Sequence, residues 1–241
     1  VWEAGGDCGP GCGGDDPASV VCPAAFFGVD RVVERHFVPT QQEDALVSMA
    51  VPDADRPALG LDGTVVAASS LVTKAELRAA GLEGLRRVRT WASLGRALAD
   101  PGAGLLILMP HTTPDPPTLE VSSEPLHRSL IVPGLVTGER AGPPPVVVLF
   151  GCDTAGSADD PVGFATRFLW AGAAVVFASF TLLRANVAPL LASRLVAALR
   201  DPARKGQPVG QVLRDVRREA LRAGLPAALA LTAYGDADWE V

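Results

Sequence analysis

This chain of 241 residues has no apolar run longer than six residues, far short of the roughly 20 that a membrane-spanning helix needs. It has no excess of basic residues either. Lys and Arg total 21 against 27 Asp and Glu, a net charge of −6, which argues against the positive footprint of a nucleic-acid binder. No Gly-x-Gly-x-x-Gly opens a helix after an early strand, and no Gly-x4-Gly-Lys-Ser/Thr or Gly-x-Ser-x-Gly occurs. A dinucleotide site, a P-loop and a serine-hydrolase elbow are therefore unsupported. With 48% apolar residues the chain is not disordered, and it is long enough to bury a full core.

Cysteine and histidine are scarce, with four and three residues. Cys8, Cys12 and Cys22 stand close together as C-x3-C-x9-C near the start, and Cys152 stands alone. This is no disulfide framework for a chain of this size, so a reducing, cytoplasmic compartment is expected. The three early cysteines, with His36 or Asp7 as a fourth ligand, offer a structural zinc as a secondary reading. Three ligands are an incomplete set, and no catalytic metal or cofactor is expected. The chain opens with Val1-Trp2-Glu3, without Met and without a basic segment leading into a hydrophobic one. The expectation is a domain cut from a longer protein, with no secretory signal in this stretch.

Residues 1–22 are rich in Gly, Asp, Pro and Cys and read as an irregular lead-in, with a single domain over 23–241. Pro23 opens an expected helix carrying Phe26, Val29, Val33 and Phe37 on one face. Strands are expected at 46–51 and 64–68. Thr73-Lys-Ala-Glu76 is a capping box, with Gly81 as the stop. Trp91, Leu94 and Leu98 mark a further helix, ended by Asp100-Pro101-Gly102. Leu105–Met109 reads as a buried strand, Thr118–Val121 as a short extra one, and the Pro- and Gly-rich stretch 133–145 as a mobile loop. Pro145–Phe150 is another buried strand. Asp160-Pro161 reads as the N-cap and first residue of a helix ending at Gly172. A strand over 173–180, helices near 187–200 and 209–223, and a last strand over 229–234 complete the pattern. Strands alternating with helices indicate an α/β domain with a mostly parallel central sheet of about six strands flanked by helices.

The chemistry lies at two strand ends. Leu105-Leu-Ile-Leu-Met109 runs into Pro110-His111-Thr112-Thr113, and Val146-Val-Val-Leu-Phe150 runs into Gly151-Cys152-Asp153-Thr154-Ala155-Gly156. A thiol and an imidazole, 41 positions apart in the chain, thus each follow a buried strand at the edge where open α/β sheets bind ligands. The imidazole is a proton acceptor that activates the thiol, and the thiolate is the nucleophile. Backbone N–H groups at Cys152 and just after His111 are candidate donors to a developing oxyanion. Either residue alone would more often be structural; together they point to a cysteine hydrolase. Of the other histidines, His36 lies in the early segment and His127 is the reserve candidate for the base.

The segments Leu-Met-Pro-His111 and Leu-Phe-Gly-Cys152-Asp-Thr-Ala-Gly resemble the CHAT family of caspase-like cysteine peptidases. In that family one strand ends in the catalytic His and a later one in a Cys within Ala/Gly-Cys-x-Thr/Ser-Gly. The likeness continues through Phe164–Ala173 and includes the ending Ala233-Tyr-Gly-Asp236. It is strong from about Leu105 to the C-terminus. The resemblance implies a caspase–hemoglobinase fold, a three-layer sandwich, and a Cys152/His111 dyad that hydrolyses peptide bonds. It implies oxyanion donors at the N–H groups of Thr112 and Cys152; the family usually has Gly where this chain has Thr112. It also implies a protein or peptide substrate and control by a sensor or regulatory domain, often in bacterial defence systems. The acids near the two strand ends (Asp115, Glu120 and Glu124; Asp153, Asp159 and Asp160) suggest a basic residue before the scissile bond, with Asp153 as a substrate-binding candidate. The bland alternative is that they are solvated loop charges and caps. A catalytically silent domain of the same type that binds or signals is the rival reading.

Overall fold

The computed structural model describes residue 32, residues 34–35 and residues 58–241, apart from 99, 101, 115–116, 123, 133–142, 152–153 and 155–162. The lead-in, the early cysteines, Asp7, His36 and the expected strand at 46–51 lie outside the described residues.

Seven strands form the central sheet. They are β1 (Glu34–Arg35), β2 (Thr64–Ala68), β3 (Arg86–Val88), β4 (Leu105–Met109), β8 (Val146–Leu149), β9 (Val175–Ser179) and β10 (Leu231–Gly235), in the spatial order β1-β10-β9-β8-β4-β2-β3. The five from β9 to β3 are mutually parallel. β10 runs antiparallel to β9, and β1 is parallel to β10. The pattern is the expected mostly parallel sheet, with β1 as a two-residue addition to six longer strands. Between β4 and β8 the chain makes a separate antiparallel meander of β5 (His111–Pro114), β6 (Pro117–Val121) and β7 (Glu124–His127).

The inner strands are continuously apolar because both faces are covered. Side chains alternate between two cores with the period of the pleat. Val66, Ala68, Leu105, Ile107, Met109, Val146, Val148, Val175 and Phe177 face one layer. That layer is built by α1 (Lys74–Ala79), α4 (Ala188–Leu199) and α5 (Val209–Arg222). Val65, Ala67, Leu106, Leu108, Val147, Leu149, Val176 and Ala178 face the other, which holds α2 (Trp91–Leu98), α3 (Phe164–Trp170) and the buried Leu119, Val121 and Leu126 of the meander. The result is a three-layer sandwich.

Local signals set the helix ends. Thr73 and Glu76 form the reciprocal capping box, with Glu76 N–H donating to Thr73 Oγ1 at 3.2 Å and Thr73 N–H to Glu76 Oε2 at 2.7 Å. Gly81, at φ +70°, closes α1: its N–H reaches the Arg78 carbonyl, and Leu82 N–H reaches that of Leu77 at 2.8 Å. In α5, Arg217 is buried and donates to the Leu231 carbonyl at the start of β10. Desolvation lowers its guanidinium to about 10, still a cation at neutral pH.

Three expectations are corrected. The helix read from Pro23 to Phe37 does not hold at Glu34–Arg35, which pair as a strand with Ala233 and Tyr234. An edge of β10 in need of hydrogen-bond partners outweighs the local periodicity there. The helix read from Asp160-Pro161 starts instead at Phe164, with Gly163 as its N-cap. The first-turn N–H of Ala165 is taken by the Thr154 carbonyl at 3.2 Å, so a backbone oxygen does the capping. Finally, residues 111–127 form a sheet of their own, where a loop with one short strand was expected. Prolines at 114, 116, 117 and 125 give the segment the composition of a loop, and a small meander tolerates Pro114, Pro117 and Pro125 where ladder donors are not required.

Candidate active site

From β2 the chain goes out to β3, then comes back to β4 on the other side of β2. The direction of strand addition therefore reverses beside β4, and ligands favour the carboxyl side of such a switch point. β4 and β8 pair in parallel with Leu105 opposite Val146 and Leu108 opposite Leu149. Phe150 N–H continues that ladder, donating to the Leu108 carbonyl at 2.8 Å. One more step sets Pro110 beside Gly151.

The close approach of these two residues is the central geometric fact of the site. Both are buried. A methyl group placed on Gly151 would sit 2.7 Å from the Pro110 carbonyl oxygen and 3.2 Å from its ring. Only glycine lets the two backbones come so near. His111 is the residue after Pro110, and Cys152 is the residue after Gly151. Cys152 and Asp153 themselves lie outside the described residues.

The chain on the far side of the cysteine is fixed by Thr154, which is wholly buried. Its hydroxyl donates to the Leu149 carbonyl at 2.8 Å and accepts from Ser179 N–H at 3.4 Å. One side chain thus ties the loop after β8 to the carboxyl ends of both β8 and β9, while its carbonyl caps α3. Ser179 in turn shapes the exit from β9, its hydroxyl donating to the Thr181 carbonyl at 2.9 Å. Residue 152 is therefore bracketed by two anchored neighbours, Gly151 and Thr154. In the sequence the one sign of this role is a threonine two places past the nucleophile candidate.

His111 is the first residue of β5 and half-buried, paired across the ladder with Glu120 of β6. Thr112 follows it, opposite Leu119. The meander is held to the central sheet just past β6, where Ser122 N–H donates to the Ala68 carbonyl at 2.9 Å. Ser122 adopts φ +58° to make this turn, an unusual value for a residue with a side chain.

The other named residues are less central. His127, the reserve base, stands in β7 across from Thr118, two strands from His111. Its Nδ1 is engaged with Ser129, 2.7 Å from the hydroxyl and accepting the N–H at 3.2 Å. Of the acids around the strand ends, Glu124 is a structural clamp: its carboxylate accepts from Trp91 N–H and its carbonyl from Trp91 Nε1, both at 2.9 Å. Glu120 alone among the described acids is set against His111. Asp115, Asp159 and Asp160 lie outside the described residues. Among the described residues no group of three His, Cys, Asp or Glu is placed to hold a metal ion, and no helix is long and apolar enough to cross a membrane.

Comparison with solved structures finds the same architecture. The Arg-specific cysteine proteinase gingipain R (RgpB) superposes with a TM-score of 0.54 at 14% identity, over 76% of this chain and 48% of that one. The complex of the pro- and mature domains of RgpB from Porphyromonas gingivalis gives 0.54 at 13% identity, with the same coverage of 76% and 48%. The fold is caspase-like. At this identity the likeness speaks for the fold alone, and the chain spans about half the length of these structures. No family model and no curated protein matches the sequence.

Proposed function

We propose that this chain is a cysteine endopeptidase of the CHAT type, with Cys152 as nucleophile and His111 as acid and base. The observation that carries the proposal is the seating of Gly151 on Pro110, which brings the residues just before thiol and imidazole into contact in a caspase-like fold. The Cys152 thiolate attacks the scissile carbonyl carbon, forming a C–S bond while the carbonyl electron pair moves to oxygen. The N–H groups of Thr112 and Cys152 are the proposed donors to that oxyanion. His111 delivers a proton to the leaving amine as the C–N bond breaks. It then takes a proton from the water that hydrolyses the thioester and returns Cys152 to its starting state.

A basic residue before the scissile bond is the preferred substrate feature, with Asp153 as its proposed partner; the solved neighbour is described as Arg-specific. The natural substrate is taken to be a protein. Control is assigned to a sensor domain in the same or a partner chain, in the setting of bacterial defence in the cytoplasm. The test is turnover of fluorogenic peptides, together with labelling by a thiol-directed probe, in wild type, Cys152→Ala and His111→Ala. Turnover and labelling lost in both variants support the dyad. Probe labelling of Cys152 that is indifferent to His111→Ala, with no turnover in wild type, supports the silent binding domain instead. Equal cleavage of peptides with Ala or Arg before the scissile bond removes the basic preference.

A further inference from the structure

We propose that Glu120 is a positioning residue for His111, holding the imidazole through a hydrogen bond to one ring N–H so that the other nitrogen serves the thiol. This inference rests on the peptidase reading and adds a third group to the dyad.

The argument starts from register. His111 and Glu120 lie directly opposite each other in the antiparallel β5–β6 pair. Opposed residues point to the same face of a sheet, with Cβ atoms about 5 Å apart. The next same-face pair shows that this face is shared in fact, since the hydroxyls of Thr113 and Thr118 are in contact. Leu119 and Val121, on the opposite face, are sealed into the core at 0% and 1% exposure. That leaves His111, Thr113, Thr118 and Glu120 as one polar patch. Its floor is apolar and rigid, and both His111 and Glu120 are half-buried.

The chemistry of the surroundings selects the partner. β5, β6 and β7 contain no lysine or arginine; the nearest cation in the chain is Arg128, just past β7. Across its other side Glu120 meets Pro125, which has neither a charge nor an N–H to offer. His127 is one strand over and diagonal to Glu120, and is occupied by Ser129. Glu124 is occupied by Trp91. Among the titratable residues of the meander, the register leaves Glu120 facing His111 and nothing else. No hydrogen bond joins the two side chains as they stand. Catalytic hydrogen bonds that tighten only when substrate is bound are common.

A carboxylate in this place selects which ring nitrogen carries the proton and fixes the plane of the ring. It also stabilises the imidazolium formed when the thiol gives up its proton. Such a residue acts on the rate of the chemical step for every substrate. An acid that binds a basic substrate side chain would act on the KM of basic substrates alone.

The experiment compares Glu120→Gln, Glu120→Ala and Glu120→Asp with wild type on matched peptides carrying Arg or Ala before the scissile bond. His111 is followed in parallel by its 15N chemical shifts in folded protein. Expected are a fall in kcat of roughly 10- to 100-fold for Glu120→Ala with KM nearly unchanged, a smaller fall for Glu120→Gln, and partial rescue by Glu120→Asp. The loss is the same for both peptides, and the His111 ring shifts move in the Gln and Ala variants. Unchanged kcat with unchanged His111 shifts overturns the proposal. A loss confined to the KM of the Arg peptide overturns it in favour of a substrate-binding role. Wild type without Cys152-dependent turnover sinks the peptidase reading, while the ring shifts still decide whether Glu120 holds His111.

Discussion

Gly151→Ala is the sharpest probe of the geometry. The new methyl carbon would fall 2.7 Å from the Pro110 carbonyl oxygen, 3.0 Å from Thr154 Cγ2 and 3.2 Å from the Pro110 ring. Contacts below 3 Å must relax, and none of these atoms is a flexible side-chain end. The Pro110 carbonyl is backbone in a rigid ring residue, and Thr154 is pinned through its hydroxyl to Leu149 and Ser179. The strain is therefore relieved by pushing the β4 and β8 exits apart by a few tenths of an ångström or more. Overpacking of this sort in a buried site costs about 1–3 kcal/mol, read as a lower midpoint in urea with an unchanged slope. The same displacement moves Pro110 relative to Gly151, the residues that precede the proposed pair His111 and Cys152. A misplacement approaching 1 Å at a catalytic pair costs on the order of 100-fold in rate, so kcat/KM is expected to drop by about 10- to 100-fold while the protein stays folded. A Gly151→Ala protein with wild-type stability and turnover would refute the claim that this contact sets the dyad.

Three further outcomes follow from single contacts. Thr154→Val keeps the shape but strands the buried groups at Leu149 and Ser179, at a cost of about 1–3 kcal/mol by denaturant titration. Thr154→Ser keeps the hydroxyl and is expected to be the milder change; the reverse order would show that the methyl, not the staple, matters. Glu124→Ala removes the acceptor for Trp91 N–H at the start of α2 and is expected to lower stability by about 1 kcal/mol, without altering the kinetics of any peptide. Thr73→Ala breaks the capping box of α1 for about 1 kcal/mol, checked by the urea midpoint and by faster amide exchange in that helix.

Much of this architecture was legible in the chain. The runs Leu105–Met109, Val146–Phe150 and Ala173–Phe180 have no polar face, which is possible only for strands covered on both sides, so a parallel sheet between two helical layers followed. Thr73-Lys-Ala-Glu76 announced its helix through local hydrogen bonds that need nothing else to form. His111 and Cys152 stand out as candidates in the sequence because each follows such an apolar run. The three-stranded meander was not legible, since four prolines interrupt its alternation and its ladders form only by pairing across turns. β1 was read as helix for the same reason, as its partner lies about 200 residues away.

By itself, then, the sequence determined the inner strands and the capped helix, and it set one thiol and one imidazole just past two apolar runs. Those properties are local: they depend on periodicity, capping and side-chain polarity within a few residues. Only the tertiary structure decided that β4 lies beside β8 in a register that seats Gly151 on Pro110, that Thr154 ties two strand ends together, and that Glu120 faces His111. These are pairings across long stretches of chain, and a strand's composition says that it must pair without saying with which neighbour or in what register.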